Sequence, residues 1–144
     1  MQTIKNKKLI GLLASLLAIL LIMPVTGTPR AVASGTDHHI KVALSSVGGS
    51  GISGFVNLVQ RPDEGGTQIH VVANGLQPGA HYVSLYYDNN TCTLPGDLLN
   101  TYTGNAAGIG TTNGIADDDL DEVDSVSVRD ATTLELFACA VIHP

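Results

Sequence analysis

Thr67-Gln68-Ile69-His70-Val71-Val72-Ala73 is followed by Asn74-Gly75-Leu76-Gln77-Pro78-Gly79-Ala80, and then by His81-Tyr82-Val83-Ser84-Leu85-Tyr86-Tyr87. The first segment alternates. Ile69, Val71 and Ala73 point one way, and Gln68, His70 and Val72 the other. The last segment alternates too: His81, Val83, Leu85 and Tyr87 share one face, and Tyr82, Ser84 and Tyr86 the opposite one. β-branched and aromatic residues at a period of two read as strands. The Asn-Gly and Pro-Gly pairs between them are turn chemistry, because glycine reaches positive φ without a Cβ clash.

The same texture extends outward in both directions. Strands are expected at His39–Ser45, Ile52–Gln60, Asn100–Thr103, Gly108–Thr112, Ser125–Arg129 and Thr133–Val141, besides the two above. Gly48-Gly49-Ser50-Gly51, Asp63-Glu64-Gly65-Gly66, Asp88-Asn89-Asn90 and Asn113-Gly114 supply the intervening turns. Long helical periodicity is absent from this part of the chain. Short strands at this spacing predict an all-β antiparallel sandwich or barrel.

The beginning of the chain reads differently. Lys5, Lys7 and Lys8 precede an uncharged apolar run from Leu9 to Met23, then come Pro24, Gly27 and Ala31-Val32-Ala33. This is the pattern of a cleavable signal peptide over residues 1–33, with cleavage before Ser34. The apolar run is shorter than the roughly 20 residues that a spanning helix needs. The expected product is secreted or periplasmic, with no membrane association after cleavage. Residues 34–41 read as a flexible lead-in and 42–144 as one domain.

Loss of residues 1–33 leaves Lys41, Arg61 and Arg129 against 13 acids, a formal net charge of 3 − 13 = −10. Such a domain is repelled by nucleic acid and by anionic lipid. Cys92 and Cys139 both lie in the exported part, and an even pair in an oxidising compartment is most simply a disulfide. It would close a loop of about 48 residues, a constraint of roughly 4 kcal/mol.

Gly75-Leu76-Gln77-Pro78-Gly79-Ala80-His81 resembles the G-L-x-x-G-x-H-x-x-H-x-H stretch of the copper/zinc superoxide dismutase family. Three more stretches are similar to family motifs in the same order: Gly51-Ile52-Ser53-Gly54-Phe55-Val56-Asn57-Leu58, Gly96-Asp97-Leu98-Leu99-Asn100, and Leu136-Phe137-Ala138-Cys139-Ala140-Val141-Ile142. Cys92 stands where the family keeps its other disulfide cysteine. The resemblance covers roughly Val42 to Ile142, and it implies a flattened eight-stranded Greek-key β-barrel.

The same resemblance implies a metal centre whose ligands this chain lacks. Ser84 and Tyr86 stand at two copper-histidine positions, and Arg129 at the third. Asp97 matches the zinc aspartate, but Cys92-Thr93-Leu94-Pro95 is too short to hold the family's histidine-rich zinc loop. Leu136 stands at the active-site arginine. His81 matches a structural histidine, and with Val83 and Leu85 on its face it reads as a satisfied core residue. Dismutation needs a redox metal, which no ordinary side chain replaces. The expectation is therefore a non-catalytic binding or structural module with no cofactor. The alternative is a metal-binding protein or superoxide dismutase with a rearranged copper or zinc site.

Other residues bear on that alternative. His38 and His39 lie near the new N-terminus. A cut after Gly35 would give Thr36-Asp37-His38, whose amine, amides and imidazole can bind Cu(II) in a square plane; otherwise both histidines are solvated. The acidic run Asp117–Asp124 could offer oxygen ligands to Ca²⁺, but it lacks the glycine and terminal glutamate of a calcium loop and reads as solvated. Tyr82, Tyr86, Tyr87 and Tyr102 are either a contact patch or filling for the volume of a lost metal site. Asn89-Asn90-Thr91 is a glycosylation sequon. No residue marks a partner, though a homodimer is compatible with the family.

Overall fold

A computed structural model describes residues 38–144. Residues 1–37, on which the expected signal peptide and most of the expected lead-in fall, lie outside the described residues. Eight strands follow in order: β1 His39–Ser46, β2 Ser53–Gln60, β3 Thr67–Asn74, β4 His81–Tyr87, β5 Asp97–Thr103, β6 Ile109–Ala116, β7 Ser125–Asp130 and β8 Leu136–Val141. Every strand pairing is antiparallel. The spatial order is β5-β4-β7-β8-β1-β2-β3-β6, so β3 crosses to β6 and β4 to β7. This is the expected Greek-key barrel. Its seam lies between the edge strands β5 and β6, where Asn100 Nδ2 donates to the carbonyl of Asn113 at 3.2 Å.

The alternation of β1, β2, β3 and β6 builds the barrel directly. Val56 and Leu58 on β2 and Ile69 and Val71 on β3 point inward and are fully buried, and Val126 and Val128 on β7 meet them from the other side of the barrel. Lys41, Val59, Gln68, Thr111 and Ile115 point outward and are exposed. Strand β4 has no solvent face, since every side chain after His81 is buried. Tyr82 and Tyr86 belong to the barrel core, while Val83, Leu85 and Tyr87 form a second apolar cluster with Cys92 on the outside of the sheet.

Three local expectations are revised. Strand β1 begins at His39, where it pairs with Val59, so the last three residues of the 34–41 lead-in belong to the sheet. Asn113-Gly114 is not a turn but the middle of β6, paired with His70 and Ile69. Its glycine serves close packing, because a Cβ there would stand 2.5 Å from Leu99 Cδ1. Residues 133–135 form the β7–β8 turn rather than strand, because the Asp130 carboxylate accepts from the N–H groups of Thr132 and Thr133 at 2.8 and 2.7 Å.

Gly54 sits in β2 at φ 153°, and a Cβ on it would lie 1.9 Å from the carbonyl oxygen of Val72 on β3. Backbone opposes backbone there, so no side chain can swing away. Gly54→Ala is expected to cost at least ~2 kcal/mol of unfolding free energy through strain and lost β2–β3 pairing. Urea unfolding measures this, and an unchanged midpoint would contradict the close approach.

Candidate functional site

The residues singled out in the sequence divide between two faces of one sheet. Cross-strand pairs settle which is which. Ser84 pairs with Val128, and Tyr86 with Val126, so both point into the barrel. Arg129 pairs with Val83 and so points outward, beneath the 88–96 loop. Ser84 and Tyr86 share a face, as expected, but the reading that groups them with Arg129 as one former ligand set is corrected. A one-residue change of parity is enough to separate them.

Inside the barrel the tyrosines fill space. Tyr82 packs on Tyr102 and edge-on to Phe137, at centroid separations of 6.2 and 6.0 Å. Ser84 Oγ lies 3.2 Å from Tyr102 Oη. Tyr86 Oη donates to the Asp117 carboxylate at 2.7 Å, at the barrel's end. Tyr82 and Tyr86 thus belong to the barrel core, and Tyr102 packs against it partly buried.

The outer face carries a polar network under a loop. Arg129 is 5% exposed. Its Nε donates to Tyr87 Oη at 2.8 Å, and its Nη1 and Nη2 donate to the carbonyls of Leu134 and Cys92 at 2.5 Å each. A guanidinium only donates, so Tyr87 Oη accepts from it, and the same hydroxyl shares a hydrogen bond with Ser127 Oγ 2.8 Å away. The loop above is tied down in three further ways. Cys92 is disulfide-bonded to Cys139. Ser125 Oγ donates to the Asn89 carbonyl at 2.5 Å, and the Cys92 N–H donates to Ser125 Oγ at 3.2 Å. Gly96 lets the chain return to β5, since a Cβ there would meet the Tyr87 ring at 2.2 Å.

This arrangement does not fit a copper or zinc ion. The groups converging beneath the loop are a fixed cation, a phenol already accepting from it, two hydroxyls and apolar side chains. Among the described residues, no three His, Cys, Asp or Glu side chains are grouped to hold a metal. Asp97 opens β5 and lines a pocket of about 550 Å³ with Asp88, Asp118 and Glu122, and no histidine joins them. His81 is exposed at the start of β4, which corrects its reading as a buried structural residue. Strand ends leave the sheet before the core closes over them. His38 and His39 are exposed, and His38 lies with His143 on a separate pocket. Residues 36 and 37, which the Cu(II) reading of the N-terminus needs, fall outside the described residues. In the sequon, Asn89 Oδ1 accepts from Thr91 N–H, Thr91 Oγ1 and Thr93 N–H, closing a turn on itself.

The network around Tyr87, Ser125 and Ser127 was not anticipated. Its trace in the sequence is Ser125-Val126-Ser127-Val128-Arg129, a strand whose second face is polar throughout.

Comparison with known proteins supports the architecture alone. No protein-family profile matches the chain, and no curated protein matches it. Among solved structures it is similar to the Cu/Zn superoxide dismutase from Brucella abortus, with a TM-score of 0.54 and 19% identity over 73% of this chain and 99% of that one. The chain thus has the fold of that enzyme.

Two predictions follow from the geometry. Arg129→Met leaves the carbonyls of Cys92 and Leu134 without their donor, and a loss on the order of 3 kcal/mol is expected. Arg129→Lys should restore little, because a point charge cannot span three acceptors. Chemical unfolding of both variants measures this, and wild-type stability in Arg129→Met would refute the network's role.

The second concerns alkali. Burial, partly opposed by the Ser84 hydrogen bond, pushes the Tyr102 hydroxyl up to about 12. Burial, then the hydrogen bond to Asp117, raises Tyr86 further. A folded-state pKa above the unfolded value of about 10 adds stability below pH 10 that is lost as pH rises beyond it. Stability should therefore fall above about pH 10, and these two tyrosines should ionise together with unfolding. Ultraviolet difference spectra alongside circular dichroism test this; ionisation of all four tyrosines near pH 10 with the fold intact would contradict it.

Proposed function

We propose that this chain is an exported, non-catalytic module that uses a superoxide dismutase-like barrel for binding or structural purposes. One observation carries the reading: Arg129, at the position that the resemblance assigns to a copper histidine, is a buried cation spent on two backbone carbonyls and a phenol. A divalent ion beside it would meet like charge and no free donor atom.

Export to a secreted or periplasmic location is supported by the lysine-flanked apolar run followed by Ala31-Val32-Ala33, and by the disulfide. The net −10 charge of residues 34–144 argues against nucleic acid and anionic membranes as partners. No copper or zinc enters the proposal.

The test is elemental analysis and a superoxide assay on protein purified from the exporting host in metal-replete medium. The expected result is a chain beginning at Ser34, substoichiometric in copper and zinc, with no copper-dependent dismutation. One tightly held copper per chain with a dismutase rate would establish the rearranged-site alternative instead.

A further inference from the structure

The connection between β4 and β5 presents exposed leucines beside a cavity. Leu94 and Leu98 are 44% and 63% exposed. Leu98 pairs with Leu85, so it stands on the outer side of the sheet, at the margin of the second apolar cluster. Leu134 is exposed too and borders the same loop, since its carbonyl and that of Cys92 meet on Arg129. Between Leu94 and Leu98, Pro95, Gly96 and Asp97 form one wall of the cavity of about 550 Å³. Asp88 and, from the β6–β7 connection, Asp118 and Glu122 complete it. Its volume falls in the range of ligand pockets, roughly 300–1,000 Å³. Both walls are held in advance. The disulfide and Arg129 fix the 88–96 loop. Gln60 fixes the opposite wall, with Nε2 donating to the Asp119 carboxylate at 2.8 Å and Oε1 accepting from the Leu120 N–H at 2.6 Å.

We propose, on the reading of this chain as a binding module, that this surface docks a polypeptide segment in which lysine or arginine stands beside apolar side chains. The cation enters the cavity, and its apolar neighbours cover Leu94 and Leu98. Charge selects the occupant. Four carboxylates line the cavity and no cation lines it with them. The three cations of residues 38–144 are engaged elsewhere: Lys41 over the Phe55 ring, Arg61 with Glu64, and Arg129 with Tyr87 and two carbonyls. Burial, and then the charges of Asp117, Glu122, Asp97 and Asp88, raise the Asp118 pKa, so these carboxylates lie close enough to repel. A cation among them replaces repulsion with attraction. Among the described residues no three such groups are placed to hold a metal ion, so an organic cation fits better. A lysine or arginine stem is itself apolar and can cross the leucine rim before its charge reaches the carboxylates. A wholly polar cation would leave the leucines wet.

One small cavity and its leucine rim bury less than a standard interface, which takes about 800 Å² per partner. A dissociation constant of about 10 to 100 micromolar is therefore expected. The acidic rim speeds encounter with a basic partner and makes it sensitive to salt.

Isothermal titration calorimetry of the exported protein tests the proposal, with a synthetic octapeptide of alternating lysine and leucine as the probe. One peptide per chain should bind, and binding should weaken several-fold as added salt screens the carboxylates. Asp97→Asn with Asp118→Asn should weaken it about tenfold. Leu94→Ser with Leu98→Ser, and equally a lysine–serine peptide of the same charge, should weaken it several-fold. Ile115→Ser, on the outer face of β6 away from the cavity, should leave it unchanged. Should a variant fail to fold, amide chemical shifts of the unaltered protein serve instead, and the peptide should perturb residues 88–98 and 117–122. No binding at millimolar peptide, equal binding of the serine peptide, binding that survives the carboxylate and leucine substitutions, or shifts centred on another face would each overturn the proposal. None of these outcomes bears on the metal content, which tests the non-catalytic reading separately.

Discussion

Strand β4 has no face for water. Tyr82, Ser84 and Tyr86 fill the barrel, and Val83, Leu85 and Tyr87 are buried on the other side of the same ribbon. A barrel strand normally needs one apolar face, so the second must be covered by something other than a sheet. The cover is the 88–96 loop, and a loop brings backbone polar groups that must be satisfied where water is excluded. The disulfide supplies the covalent tie. Arg129 and Ser125 supply hydrogen bonds to the Cys92 and Asn89 carbonyls. The polar face of β7 thus follows from the apolar second face of β4.

A guanidinium suits this task. It is always charged, offers donors in a rigid fork, and accepts nothing, so it can bridge three acceptors from three different segments. Here those are the loop at Cys92, the β7–β8 turn at Leu134 and the β4 side chain Tyr87. Leu134 is held at φ 60°, which a residue with a Cβ adopts at a cost; its carbonyl is the one that Arg129 binds. This chain ties loop to strand through these hydrogen bonds and the disulfide.

The fold was legible because the alternation in β1, β2, β3 and β6 is nearly unbroken, and because glycine marks the turns. Where the reading slipped, one residue type was serving a second purpose. Gly114 resembles a turn residue but makes room for Leu99 across the seam. The site was less legible. Period-two patterning assigns residues to faces but does not say which face is the interior when both are apolar, as in β4. Motif alignment then placed Ser84 and Tyr86 beside Arg129, whereas cross-strand pairing puts them back to back. His81 failed for a related reason: it shares parity with Val83 and Leu85, but parity is no guide to depth at a strand's first residue.

Charge organises what the core does not. The acids gather at the strand ends, where Asp118 faces Asp117, Glu122, Asp97 and Asp88, and where burial followed by these neighbours raises its pKa. Concentrating like charge there is costly, and it leaves the four-stranded outer sheet free of acid. Asp and Glu are poor strand formers, so solvated connections are where they gather.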